Sequence, residues 1–311
     1  MCRRPTPIAI VTLAAALALA GCGSGGTSGQ GGTRSGDGSS KVLATTAIWA
    51  DVVSAVTCRT LKVPALIPAG VDTHEFEPSV QDADRLLGAD LVFGNGMGLE
   101  GALGDTLTSA KKEGVDVVEL APDMKPIDQD PHVWMDPERV ALAVPVIAKH
   151  LAKHLGGAEG LGLDPAKLAG CADDYVSQLQ DLAISMDTRL AAVAPAQRKL
   201  VTNHENLAYF ADRFDFTIIG ALIPSTSSLG ESDPRSLDEL AATVQQAGVK
   251  TIFVDVVGST RLAKSLAERS DQDIAVEKLF VESLGPKGDD ADTYRGMMSV
   301  NATRIAESLS R

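Results

Sequence analysis

Between Asp164 and Ala194 the apolar residues Leu168, Cys171, Tyr175, Leu179, Leu182, Met186, Leu190 and Val193 recur at steps of three and four. That spacing is the stripe of one uninterrupted amphipathic helix. Asp164 and Pro165 give it a start, an N-cap acceptor followed by a residue whose fixed φ suits the first helical turn. At 1.5 Å per residue it would run about 45 Å, longer than a single lobe. Such a helix either packs along one large domain or serves as a strut between two.

The flanking sequence favours the strut, because the same alternation occurs on both sides of it. Before it, Val42–Thr46, Leu61–Ile67, Leu91–Gly94 and Val115–Leu120 read as strands, with helices at Ile48–Thr57, Val80–Leu87, Leu99–Lys112 and from Pro137 to about Leu155. After it, strands are expected at Lys199–Asn203, Phe216–Ile219, Thr251–Val257 and Ile274–Val281, and helices at Glu205–Phe214, Pro234–Ala247, Ser259–Arg269 and Ala291–Leu309. Alternation of this kind specifies βαβ units and parallel sheets. The expected fold is α/β: two (β/α)4 lobes with mainly parallel sheets, 42–163 and 195–311, joined by one long rigid helix at 164–194. A chain of 311 residues is long enough for two cores.

The N-terminus reads differently. Arg3 and Arg4 precede an apolar run from Ile8 to Ala20, too short for a comfortable membrane span but suited to a signal-peptide core. Leu19-Ala20-Gly21-Cys22 resembles a bacterial lipobox, and residues 23–40 are glycine- and serine-rich, the composition of a flexible linker. The expectation is a signal peptide at 1–21, a lipidated Cys22 with a tether to residue 41, and a protein anchored on the outer face of the bacterial cytoplasmic membrane. Cys58 and Cys171 remain for the folded part; with no CxxC pair, a thiolate metal site has little support. They could pair in an oxidising compartment, although their separation gives no geometry for it.

A net charge of −13 removes attraction to a phosphate backbone, so nucleic acid is not an expected partner. Aromatic residues make up only 4%, which leaves a small polar or ionic ligand as the natural guest. Three of the five histidines lie just past predicted strands: His74 after the second, His132 after the fourth, and His204 after the first strand of the second half. Glu282 follows the last strand. Ligands gather at the carboxyl ends of parallel strands. Asp136 and Pro137 open a helix immediately after His132, which fixes that histidine in a short turn. Three imidazoles and a carboxylate make a first shell for a borderline divalent ion such as zinc, copper, nickel or iron. His150 and His154 stand at i and i+4 near a helix end, a spacing that can bind metal. Residue 151 is leucine, not the glutamate of an HExxH helix, and attraction to the helix dipole explains the pair without any ligand.

Several ordered motifs together carry a resemblance. The lipobox, Ala69-Gly70-Val71-Asp72-Thr73-His74-Glu75-Phe76-Glu77-Pro78, Asn95-Gly96-Met97-Gly98-Leu99-Glu100, the stretch Asp130–Pro137, His204 with Tyr209-Phe210, and Leu284-Gly285 through Met298 resemble the zinc/manganese-binding solute-binding lipoproteins of bacterial ABC metal importers. The resemblance implies two lobes joined by one long helix, a single buried metal between them, and ligand positions at His74, His132, His204 and Glu282. The fourth position is more often aspartate in that family, and Asp255 is the competing or supporting carboxylate. No histidine-rich loop lies between His74 and His132, which removes an auxiliary capture site found in many zinc members. The nitrogen-rich shell favours Zn2+ as the transported ion, with Mn2+ the alternative because Glu205 adjoins His204. The implied function is capture of the ion and delivery to a membrane ABC permease and its ATPase, by a monomer without enzymatic activity. An adhesin or a zinc-dependent hydrolase using the same residues is the rival reading.

Overall fold

The computed structural model describes residues 41–154, 161, 163–270 and 272–310. The signal peptide, Cys22 and the tether to residue 40 therefore lie outside the described residues. The first half contains β1 (Val42–Thr46), α1 (Ala47–Val56), β2 (Ala65–Ile67), α2 (Val80–Leu87), β3 (Leu91–Gly94), α3 (Leu103–Lys112), β4 (Asp116–Glu119) and α4 (Pro137–Lys153). Then comes α5 (Pro165–Leu190). The second half contains β5 (Lys199–His204), α6 (Ala208–Phe214), β6 (Thr217–Ile223), α7 (Pro234–Ala247), β7 (Thr251–Asp255), α8 (Arg261–Arg269), β8 (Ala275–Leu279) and α9 (Tyr294–Leu309).

The strands form two four-stranded sheets, ordered β2-β1-β3-β4 and β6-β5-β7-β8, and every pairing is parallel. The two-lobed α/β expectation is borne out, and the second lobe repeats the strand order of the first. Chain direction across each sheet reverses between its two central strands, which places a crevice at their carboxyl ends. The central strands β1, β3 and β7 are buried along their whole length, as helices on both faces of a parallel sheet require.

α5 starts where Asp164 accepts the Lys167 N–H at 2.8 Å. Its stripe, including Leu168, Tyr175, Leu179, Met186 and Leu190, is buried against α4 and α1 on one side and α9 on the other. Helices of both halves therefore share one helix as a packing partner, and a single apolar cluster joins residues from β1 to α9. Two smaller clusters, one for each sheet, pack its strands against helices of the same half.

The differences from the expected elements have local causes. β2 begins only at Ala65, because Pro64 has no N–H to give a ladder and contributes its carbonyl to Ala44 N instead. α3 begins at Leu103, not Leu99: Gly96, Met97, Gly98 and Gly101 all have positive φ, a run of left-handed residues that a right-handed helix cannot contain. β6 continues past Ile219 to Ile223 through Gly220, where a Cβ would stand 2.6 Å from Leu240 Cδ1 of the helix packed over it. That glycine lets α7 sit close to the strand.

Cys58 and Cys171, whose pairing the sequence left open, form a disulfide with a Cα–Cα distance of 5.3 Å. Left-handed backbone at Cys58 and Arg59 turns the chain after α1 toward α5. The bond closes a sequence separation of 113 residues, so it ties the first lobe to the start of the strut. We expect the double substitution Cys58→Ser with Cys171→Ser to lower the free energy of unfolding by roughly 2–5 kcal/mol, read from denaturant midpoints. An unchanged midpoint would show that the cross-link contributes nothing.

Candidate metal centre

The chain brings four side chains to one point between the lobes, each from a loop or strand end at the carboxyl edge of its sheet. His132 stands on the segment between β4 and α4. Left-handed Lys125 and Asp128 bend this segment, a short 3-10 turn at Val133–Met135 follows His132, and Asp136 caps α4 by accepting Glu138 N–H. Asp130 Oδ1 accepts both the His132 backbone N–H at 2.9 Å and its Nδ1–H at 2.6 Å. With the Nδ1 proton held by Asp130, Nε2 is the nitrogen that faces the centre, where a proton and a metal ion compete for it.

His74 lies in the loop between β2 and α2, where Asp72 Oδ1 accepts its backbone N–H at 2.9 Å. Asp-x-His thus occurs twice, Asp72-Thr73-His74 and Asp130-Pro131-His132, and does the same backbone work each time. His204 is the last residue of β5. Its Nδ1 lies 3.1 Å from Asn203 Nδ2 and 3.4 Å from Asn206 Nδ2. Ligation through Nε2 needs the proton on Nδ1, and therefore an acceptor beside it. Asn203 is committed, since its Oδ1 accepts Asp255 N–H. Asn206 Oδ1 is buried without a partner, so turning that amide over supplies the acceptor.

Glu282 follows β8 and is held through its backbone. Asp255 Oδ2 accepts the N–H groups of Val281 and Glu282, both at 2.8 Å, while Oδ1 accepts Val257 N–H at 2.8 Å. Asp255 is therefore occupied by three amides and stays outside the convergent group. Glu205 is exposed and also outside it.

One ligand atom from each of His74, His132, His204 and Glu282 lies within 4.8 Å of all the others. His74 Nε2 is 3.4 Å from His132 Nε2, and Glu282 Oε1 is 3.1 Å from His132 Nε2 and 3.3 Å from His204 Nε2. The edges of a tetrahedron with zinc-type bonds of about 2.0–2.1 Å measure about 3.3–3.4 Å. All four residues are buried, with His132 and His204 at 0% exposure. Yet Glu282 Oε1, Glu282 Oε2 and His204 Nε2 have no hydrogen-bond partner. They are close without the angles of donor and acceptor, because all point at the same space. A buried carboxylate in that condition is costly unless a cation sits against it. The donor set fits a divalent ion.

The electrostatics agree with that geometry. Burial opposes charge on His74, His132 and Glu282. At Glu282 the neighbouring His132 and His204 overcome it and hold the carboxyl well below the ordinary range. At His132 burial is outweighed by Glu282 and by the Asp130 hydrogen bond, so its pKa is raised to about 9. For His74 burial wins, reinforced by His132 and His204, and its pKa is lowered. Asp255 is pushed up to about 7 by burial and by the Glu282 charge.

Contacts across the cleft position these residues. Trp134 Nε1–H donates to Val281 O at 2.9 Å, and Tyr294 O–H donates to Trp134 O at 2.7 Å. Tyr209 O–H donates to Asp130 O at 2.5 Å while its oxygen accepts Ile127 N–H at 2.9 Å. Gly70 N–H donates to Ser283 Oγ at 2.5 Å, tying the His74 loop to the residue after Glu282. Behind His132, Asn95 Nδ2 donates to Pro131 O at 2.9 Å and its backbone N–H donates to the buried Glu100. The sequence offered Asn95, Glu100, Asp130 and Tyr209 only as parts of motifs. Their roles in holding the centre were not readable there, although the repeated Asp-x-His spacing was a usable signal for Asp72 and Asp130. His150 and His154 lie elsewhere, both facing Asp116.

Comparison with known proteins places this architecture. The chain is 28% identical over 323 residues to the manganese ABC transporter substrate-binding lipoprotein PsaA of Streptococcus anginosus, covering 97% of this chain and 98% of that protein. It is 28% identical over 307 residues to the manganese-binding lipoprotein MntA of Halalkalibacterium halodurans, covering 97% of each. Its fold matches the periplasmic zinc binding protein TroA of Treponema pallidum with a TM-score of 0.80 at 24% identity, over 88% of this chain and 100% of that one. A manganese-bound periplasmic metal binding protein from Candidatus Liberibacter asiaticus matches with a TM-score of 0.74 at 24% identity, over 87% and 99%. Residues 42–308, both sheets and all four convergent side chains among them, match the family described as zinc-uptake complex component A, periplasmic, and the chain belongs to that ZnuA family.

Proposed function

We propose that this protein is the extracytoplasmic metal-binding component of an ABC importer, that it captures zinc with His74, His132, His204 and Glu282, and that it delivers the ion to a membrane permease and its ATPase. The observation that carries the reading is the buried, partnerless carboxylate of Glu282 among three imidazoles whose ligand atoms and its own all lie within 4.8 Å of one another. Three nitrogens and one carboxylate suit zinc better than manganese, which prefers more oxygen ligands. The relatives named for manganese pull the other way, and manganese is the alternative that a direct competition must test. Four protein ligands complete a tetrahedral shell, whereas a catalytic zinc keeps a position open for water and a base beside it. The nearest carboxylates, Asp130 and Asp255, are already engaged as acceptors, so the arrangement supports binding over hydrolysis. Anchoring through Cys22 on the outer face of the cytoplasmic membrane, and action as a monomer, belong to the same proposal. The lipobox and the relatives named as lipoproteins support the anchoring.

Equilibrium competition between zinc and manganese tests the assignment, with zinc preferred at least tenfold; equal affinities would move the assignment to manganese. His132→Ala is expected to weaken zinc binding at least 100-fold with an unchanged circular dichroism spectrum, and near-native binding would remove His132 from the site. Asp130→Asn, which leaves the ligand but weakens its support, should cost about 10–100-fold in affinity. The pH dependence has a definite sign. Protons and metal compete for His132, which is protonated in the ion-free protein below a pKa of about 9. Zinc affinity should therefore rise with pH up to about 9 and fall on acidification by about tenfold per unit while one proton is displaced. A flat profile between pH 6 and 9 in a competition titration would count against histidine ligation.

A further inference from the structure

We infer that a cavity at the lobe boundary, beside the supports of His132 and His204, receives a cationic side chain of the permease, an arginine by its chemistry, and that this cation and the bound metal oppose one another. The inference rests on the importer reading above. The cavity holds about 450 Å³, within the range of small-ligand pockets. The segment before His132 gives it Asp128 and Asp130, the segment after His204 gives it Glu205, Asn206 and Leu207, and Ile218 of β6 forms part of its wall.

Three carboxylates border this space, and among the described residues that line it there is no lysine or arginine. They do not converge on a bare ion, because the ligand atoms that do so among the described residues are those of the cleft centre. A guanidinium suits separated acceptors. It presents five N–H donors in a planar fork, keeps its charge, and lays a methylene stem along apolar surface. Leu207 and Ile218, the latter 37% exposed, supply that surface. The rim is fixed before any visitor arrives: Glu205 N–H donates to Ser225 O at 2.8 Å, and the Tyr209 hydroxyl holds both Ile127 N–H and Asp130 O.

The coupling to the metal comes from two side chains that the cavity and the centre share. Both bonds from His132 go to Asp130 Oδ1, which leaves Oδ2 to a visitor. Asn206 is 1% exposed and its Oδ1 has no partner, yet His204 needs that oxygen when its Nδ1 carries the proton. A guanidinium in the cavity therefore draws on the same carboxylate and the same amide that orient the two imidazoles. Each ring loses support as the cation gains it. By linkage, metal and cation weaken each other's binding by one common factor.

The readout is the zinc affinity of the full-length protein, measured against a competing chelator at fixed ionic strength, and the probe is N-acetyl-arginine amide. The probe should raise the Kd for zinc about 5-fold or more, while its neutral citrulline counterpart leaves it unchanged. The double variant Asp128→Asn, Glu205→Gln alters two exposed residues outside the metal centre, so it should bind zinc as tightly as wild type and ignore the probe. A wild-type Kd indifferent to the probe, an equal effect of the citrulline compound, or full sensitivity in the double variant would each overturn the proposal. A wild-type protein that binds no zinc would instead defeat the importer reading, so the two failures are distinct. Membrane vesicles carrying the importer then identify the source of the cation. The zinc-loaded double variant should deliver its ion several-fold more slowly than wild type. Delivery at the native rate would show that the cavity takes a free cation only, and would overturn the permease's part.

Discussion

Glu282 is a carboxylate taken out of water and given nothing to accept from. Its two oxygens lack hydrogen-bond donors while its backbone N–H is gripped by Asp255. An isolated buried anion costs on the order of several kcal/mol, so the fold carries this charge only because neighbours and a guest offset it. In the ion-free state His132 supplies part of the offset by keeping its proton, which is why its pKa rises and that of Glu282 falls. A divalent ion would replace that proton with twice the charge and also satisfy the partnerless His204 Nε2. The three amides on Asp255 make this possible, because they settle one carboxylate completely and leave the other for the metal.

That charge has to be enclosed by two lobes, and the lobes are joined through the same segments that carry the ligands. Trp134 and Tyr294 link the stretch after His132 to the stretch before Glu282, Tyr209 holds Asp130, and Ser283 holds the His74 loop. Nearer the rim, Arg139 pairs with Asp212 and Arg213 with Glu138 across the same boundary. Each buried hydrogen bond contributes only about 1 kcal/mol, and the exposed ion pairs less. Their value is positional. Any movement that opens the cleft must disturb the supports of His132 and Glu282 together, so ligand geometry and lobe contact change as one event.

Much of this was legible from the chain because it rests on periodicity. The stripe from Leu168 to Val193 gave a strut, and alternating short strands gave parallel sheets, which in turn put His74, His132, His204 and Glu282 at carboxyl ends. Periodicity is silent about partners far apart in sequence. The pairing of Cys58 with Cys171 depends on how α1 meets α5, and Tyr209 meets Asp130 only after both lobes have formed. The late start of α3 was missed for a different reason. Leu99 and Leu103 fit a helical pattern, but the left-handed residues between Gly96 and Gly101 keep Leu99 in a turn, and only Leu103 falls within the helix. Asp255 could be read as a carboxylate near the centre, and only its three amide contacts show that its oxygens face the backbone.

The repeated strand order has a consequence for how an ion is held and released. Each lobe contributes two of the four convergent residues, a pair of imidazoles from the first and an imidazole with a carboxylate from the second. On the proposed reading neither pair alone offers more than two ligands, so tight binding would require the lobes to be in contact. The charge is also divided unequally. Among the four convergent side chains the carboxylate, Glu282, lies in the second lobe, while the first lobe presents two imidazoles, one of them backed by Asp130. A partner that separated the halves would leave the ion with the carboxylate side and return the first lobe's histidines to solvent, where protons compete for them again. Release can thus follow from parting two surfaces, with no change in either lobe's own fold.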